Sequence, residues 1–286
     1  MIRFKELAVF GKFSISLPIA VTTYTGFTVY QQELSTEGLL AATGIFFMSA
    51  GASALNQLQE VKEDCLMKRT SGRPLPRQKL KPSTAIFVIV TFLITGSLLL
   101  MPFGAMAVIW GWTGLIWYNL IYTPLKKRTA FSVFPGAVVG AIPPVAGWVA
   151  AGGSIQDIRI HFVAFFFFLG QMPHFWLLVL KYKEQYKKAG FPVITDLLGL
   201  SQVKRINLIW FLATFVSVLF FPILDIISNI AISSLIYASA IGMVLWVIRS
   251  YNSKSDQQLK QQFIYFNSFY LWVMVLMLVD QIIPAS

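Results

Sequence analysis

Residues 56–76 read Asn56-Gln57-Leu58-Gln59-Glu60-Val61-Lys62-Glu63-Asp64-Cys65-Leu66-Met67-Lys68-Arg69-Thr70-Ser71-Gly72-Arg73-Pro74-Leu75-Pro76. The stretch leaves an apolar run, where polar groups are costly, and ends among cations. Asn56, Glu60 and Asp64 are spaced by four. On a helix that spacing sets three oxygen-bearing side chains along one slowly drifting face. Lys68, Arg69 and Arg73 follow directly. Carboxylates suit a hard divalent cation, and arginines grip phosphate oxygens in pairs. The pattern describes a site for a metal-bound diphosphate at a membrane surface, so the diphosphate is expected to carry a lipid tail.

The composition fits that setting. The chain has 286 residues, 56% hydrophobic and 12% charged, with a mean hydropathy of +0.68. An ordinary soluble domain carries about 25% charged residues. The expected class is all-α: a polytopic membrane protein forming a single domain over residues 1–286. Cys65 is the one cysteine, which excludes an internal disulfide. Its plain reading is a bystander beside Asp64. The first twelve residues lack a cleavable signal pattern and the Arg- and Ser-rich character of an organelle leader. This favours a bacterial cytoplasmic (inner) membrane.

A net charge of +11 raises the question of nucleic acid, and its distribution answers it. Apolar runs fall at 13–31, 38–58, 84–102, 105–123, 131–151, 160–180, 206–224, 227–248 and 263–283. Each is close to the ~20 residues that cross a bilayer as a helix, so nine transmembrane helices are expected. With nine crossings every lysine and arginine except Arg159 falls on one side, Lys254 in the last such loop included. The positive-inside rule makes that side the cytoplasm. The N-terminus is then cytoplasmic and the C-terminus outside. The cations set topology and meet phosphate, and no nucleic-acid partner is expected.

Two long cytoplasmic loops, about 59–82 and 181–204, are where function is expected. A prenyl diphosphate carries about three negative charges, which oxygen-ligated magnesium neutralises. Fixed cations bind the leaving diphosphate more strongly as its C–O bond breaks.

On these residues the chain resembles the UbiA superfamily of intramembrane prenyltransferases. The carrying motif is Asn56-x-x-x-Glu60-x-x-x-Asp64-x-x-Met67-x-Arg69-Thr70-x-x-Arg73-Pro74. Three further stretches are similar to the branch that farnesylates haem. They are Tyr122-Thr123-Pro124-Leu125-Lys126-Lys127-Arg128-Thr129, Gly136 to Trp148 with Pro143-Pro144, and Gln171-Met172-Pro173-His174-Phe175. The resemblance implies Mg2+ as cofactor, farnesyl diphosphate and haem b as substrates, and haem O with diphosphate as products. Haem A synthase or the assembly of a terminal oxidase are the partners it implies beyond membrane lipid. It assigns Asn56, Glu60 and Asp64 to the metal and catalysis. Lys68, Arg69, Arg73, Tyr122, Lys126, Lys127 and Arg128 are assigned to the diphosphate.

The second loop departs from the family pattern. Counting back from Gly190, the usual acid position holds Gln185, with Glu184 one residue earlier. On a helix that shift rotates the side chain by about 100°. Glu184 is the expected fourth metal ligand, with Tyr186 beside it and Gln185 as rival for the position. On the acceptor side stand His174, Gln171 and Asn119. An intramembrane imidazole is a functional candidate by default; for His174 an iron ligand and a propionate partner both stay open. Asn119 is balanced between packing and substrate. Gly136 and Gly140 read as close helix packing. Pro143-Pro144 is expected to break its helix. Prenylation of an aromatic quinone precursor is the rival reaction. A lipid or anion transporter is the rival from another class, although its charge would be expected nearer the midplane.

Overall fold

The computed structural model describes residues 3–251 and 256–283, and among these every regular element is helical. Lys254 lies outside the described residues. The chain runs α1 (Phe4–Phe10), α2 (Phe13–Gln31), α3 (Thr36–Gln59), α4 (Val61–Leu66), α5 (Pro82–Leu100), α6 (Ala105–Ile116), α7 (Thr123–Lys126), α8 (Val133–Ala150), α9 (Ile158–Lys188), α10 (Leu200–Ser217), α11 (Phe220–Ile223), α12 (Ile230–Ser250) and α13 (Asp256–Asp280).

Helix starts follow their caps. Ser35 Oγ accepts the Gly38 N–H at 3.1 Å, Asp157 Oδ1 accepts the Arg159 N–H at 2.9 Å, and Asn229 Oδ1 accepts the Ala231 N–H at 2.9 Å. Each satisfies a donor that the first helical turn leaves orphaned. Pro82 opens α5, where its missing N–H costs nothing. Gly190, at φ +78°, closes α9, and the Phe191 N–H reaches the Tyr186 carbonyl at 3.0 Å.

Among the described residues seven helices are long and apolar enough to cross a membrane, and α1 with α2, bent by 62° between them, makes an eighth if the pair forms one span. The expected crossing at 105–123 is built differently. After the 12 residues of α6 the chain widens into a π-helical stretch, Trp117–Tyr122, and passes directly into α7. Pro124 has no N–H to offer the Leu120 carbonyl. Just upstream, the Thr123 N–H reaches back five residues to the Tyr118 carbonyl. A π segment of this kind often marks a functional region.

The core is arranged around α3 and α8, each 61% buried across its apolar window, while α5 and α12 are 28% buried and turn Phe87, Ile94, Leu98 and Ile241 outward. Pro143-Pro144 does not break its helix. α8 continues from Val133 to Ala150 with both prolines buried inside it. Instead α2 is pressed against this stretch: a Cβ at Gly26 would overlap the Pro144 carbonyl oxygen, and one at Gly147 would overlap that of Thr23. Glycine is needed at both positions for this backbone-to-backbone approach. Gly136 faces the rings of Tyr122 and Phe175, and Gly140 faces Gln171.

Candidate active site

The site forms where α3 stops. Glu60 leaves helical geometry (φ −116°, ψ 19°), and the chain turns into the short α4. Tyr182 bends α9 with the same φ and ψ. The two long connecting segments are therefore both redirected at the same mouth of the bundle. They meet through an apolar clasp, in which Met67 packs with Tyr186, Ala189, Phe191 and Val193. They also meet through polar contacts. The Arg69 N–H donates to Gln185 Oε1 at 3.0 Å, Arg69 Nη2 lies 3.4 Å from the Tyr186 hydroxyl, and its guanidinium stands over the Tyr182 ring at 5.4 Å.

Asn56, Glu60 and Asp64 are 1%, 2% and 1% exposed. Carboxylates so buried need cations, and two are in place. Arg73 Nη1 donates to Asp64 Oδ2 at 2.6 Å. Lys126 Nζ donates to Glu60 Oε2 at 2.8 Å. Thr70 Oγ1 donates to the Asp64 carbonyl at 3.0 Å and ties the loop back under the carboxylates. Lys127 Nζ pairs with Glu63 Oε1 at 2.6 Å. Burial works to raise the Glu63 carboxyl, but the Lys127 hydrogen bond and charge hold it below its ordinary value. Lys68 and Arg128 are exposed at the rim.

Asp64 Oδ1 and Glu60 Oε1 are buried and accept no hydrogen bond, although Lys126 Nζ comes within 2.8 Å of Glu60 Oε1. Asp64 Oδ1, a buried carboxylate oxygen without a partner, is the kind of donor a hard cation takes, while Glu60 Oε1 is paired with Lys126 and Asn56 Oδ1 accepts from Lys12 Nζ. Among the described residues no three His, Cys, Asp or Glu side chains converge into a cage. Magnesium is commonly held by one or two carboxylates together with substrate phosphate oxygens.

Glu184 is not brought into this cluster. Its side chain is 76% exposed and its nearest ionic partner is Lys183 at 3.8 Å. The residue that reaches the first loop is Gln185, so the one-residue rotation decides which side chain faces inward.

Sequence reasoning missed several participants. Lys12 Nζ, between α1 and α2, donates to Asn56 Oδ1 at 2.9 Å and to the Tyr118 hydroxyl at 3.2 Å. In the sequence it is one N-terminal cation among three; its place directly before the first apolar run is the only signal. Thr123 Oγ1 accepts Asn56 Nδ2 at 3.1 Å. Gln59 Oε1 accepts Asn119 Nδ2 at 3.0 Å, and the same nitrogen donates to the Ala52 carbonyl at 3.0 Å. Asn119 thus ties the π segment to α3. An open groove of about 540 Å³ runs along the foot of α2, walled by Phe4, Val9, Phe13 and Ile15, with Lys12 and Arg73 also lining it.

The acceptor-side candidates lie deeper. Tyr122 stands 5.8 Å from Lys126 Nζ and 5.9 Å from the Phe175 ring. His174 follows on α9, and its Nδ1 lies 3.0 Å from Asn267 Oδ1 on α13. Gln171 and His174 both keep partial exposure in the middle of a membrane-crossing helix.

A helical bundle with a buried carboxylate, amide and cation cluster at one mouth defines a multi-pass membrane protein built to handle a phosphate-bearing amphiphile. The profile of the UbiA prenyltransferase family matches residues 3–272, and the chain belongs to that family. It is a membrane prenyltransferase. It is 42% identical over 183 residues to the protoheme IX farnesyltransferase of Geobacter sulfurreducens, covering 64% of this chain and 68% of that protein. With the protoheme IX farnesyltransferase of Oleidesulfovibrio alaskensis it shares 30% identity over 96% of both chains. The fold is similar to that of a digeranylgeranylglyceryl phosphate synthase (TM-score 0.78, 17% identity, 97% of this chain and 98% of the other). It is also similar to that of a UbiA homologue from Archaeoglobus fulgidus bound to GPP and Mg2+ (TM-score 0.72, 15% identity, 97% and 100%). Family membership sets the transporter reading aside.

Proposed function

We propose that the chain transfers the farnesyl group of farnesyl diphosphate to a vinyl group of haem b. The allylic C–O bond of farnesyl diphosphate breaks, the farnesyl carbon bonds to one vinyl carbon, and water adds to the other as a hydroxyl, its second proton leaving with the diphosphate, giving haem O. One observation carries the reading. The cation-and-carboxylate cluster continues through Lys126, Tyr122 and Phe175 to a partly exposed imidazole, His174, inside the bundle. The names of the relatives support the same acceptor.

Magnesium, held by Asn56, Glu60 and Asp64 with the phosphate oxygens of the substrate, would neutralise the leaving diphosphate. Arg69, Arg73, Lys126 and Lys127 supply fixed positive charge that binds the diphosphate more strongly as it departs, and Lys12 adds a hydrogen-bond donor beside Asn56. Lys68 and Arg128 extend that field at the rim. Tyr118, Tyr122 and Phe175 offer aromatic faces to an allylic cation and keep water from it. The groove at the foot of α2 gives an amphiphile an apolar wall that reaches Lys12 and Arg73. The cation excess at this mouth supports a cytoplasm-facing site, in a bacterial inner membrane, with haem O passing to haem A synthase or a terminal oxidase.

The test is release of diphosphate by the purified protein. Release that requires both haem b and magnesium supports the reading. Release driven equally by a hydroxybenzoate in place of haem b would replace the acceptor.

A further inference from the structure

His174 sits midway along α9, with Phe175 beside it and the Phe263 ring of α13 4.9 Å from its own. Among the described residues the polar group it hydrogen-bonds is Asn267, whose Oδ1 lies 3.0 Å from His174 Nδ1. The Asn267 amide cannot be turned around freely. Its Nδ2 donates to the Phe263 carbonyl one helical turn back, at 2.5 Å, and exchanging oxygen for nitrogen would press two carbonyl oxygens together. Oδ1 therefore faces His174, and an acceptor opposite Nδ1 requires the proton to be on Nδ1. A neutral imidazole then carries its lone pair on Nε2.

We propose that Asn267 is a positioning residue which fixes the His174 tautomer, so that Nε2 coordinates the iron of the haem acceptor. The inference rests on the haem reading above and decides between the two roles left open for His174. In this tautomer Nε2 accepts or ligates and does not donate, so it suits an iron ion and not a propionate. A histidine that ligates a metal usually donates its other ring N–H to a fixed acceptor, which sets its tautomer and orientation. The surroundings agree: aromatic walls favour the neutral ring, and α9 and α13 meet at this point, with Tyr270 on the same face of α13 donating to the Phe166 carbonyl at 2.6 Å. The pair thus joins the last helix of the bundle to the acceptor site, although nothing in the sequence around Asn267 marks it.

The experiment uses the full chain in nanodiscs, titrated with ferric haem b and, separately, with metal-free protoporphyrin IX. The porphyrin keeps the ring and both propionates and lacks the iron. Wild type is expected to bind haem b more tightly than the porphyrin. His174→Ala and Asn267→Leu should each weaken haem b by about tenfold or more and change porphyrin binding little. Asn267→Asp, which keeps the acceptor, should retain haem affinity. The iron–histidine stretching frequency of the ferrous complex should rise from Leu through Asn to Asp at position 267. Loss of haem and porphyrin binding together in both His174→Ala and Asn267→Leu would mean a propionate or shape contact and overturn the inference. Weak haem binding in His174→Ala with normal binding in Asn267→Leu would overturn only the role of Asn267. No saturable haem binding by wild type would overturn the haem reading itself.

Discussion

The side-chain carbonyl of Gln185 accepts the backbone N–H of Arg69 at 3.0 Å, and this bond ties together the two loops that close over the site. Its neighbour Glu184 turns to solvent. Glu184→Gln should therefore change turnover by less than about twofold, as expected for an exposed group. Gln185→Ala should raise KM for farnesyl diphosphate several-fold, because Arg69 loses its anchor. Steady-state kinetics on the two variants check the order; a severe Glu184→Gln would make that carboxylate a metal ligand after all.

Asp64→Asn and Glu60→Gln keep shape and still accept hydrogen bonds from Arg73 and Lys126. Turnover should fall at least about a hundredfold, the scale of losing a main electrostatic group. The melting temperature should fall as well, because Arg73 or Lys126 keeps its charge with no carboxylate opposite it, so turnover is compared well below the melting transition of each variant. Near-normal turnover in Asp64→Asn would remove the carboxylate from the chemistry.

Lys12→Met tests the cation that sequence reasoning passed over. It removes a donor to Asn56 and Tyr118 and should weaken farnesyl diphosphate binding about tenfold, the scale of one lost hydrogen bond to a charged group. Isothermal titration with the diphosphate alone reads this directly, and unchanged affinity would return Lys12 to a topological role.

Gly147→Ala should destabilise the bundle by at least about 1–3 kcal/mol, the cost of overpacking a tight contact. The new methyl meets the Thr23 backbone, which cannot rotate away. Gly242→Ala, with open space at its Cβ position on α12, is the control. Equal melting temperatures for the two would contradict the α2–α8 contact.

Topology is checked with single cysteines in a Cys65→Ala background. Ser71 should label from the cytoplasm and Ser154 from outside. Labelling of both from one side would break the proposed orientation.

Much of this was legible in the chain. The four-residue spacing of Asn56, Glu60 and Asp64 marks the carboxylate face because helical periodicity is local. The apolar runs locate the crossings for the same reason. What stayed hidden depends on tertiary approach. Nothing local says that Lys12 meets Asn56, or that Asn267 meets His174 93 residues away. Pro143-Pro144 reads as a break, yet α8 accommodates the pair because α2 packs tightly against it. Gln185 and Glu184 differ by one step of helical rotation, and only the bend at Tyr182 settles which faces the site.

The most direct measurement is the mass of haem extracted after the purified protein is incubated with haem b, farnesyl diphosphate and magnesium. The account predicts a more hydrophobic haem, heavier by one farnesyl group plus one hydroxyl group, with one diphosphate released per molecule formed. An unchanged haem pool, alongside farnesylation of a hydroxybenzoate or naphthoate supplied in its place, would keep the chemistry and contradict the acceptor.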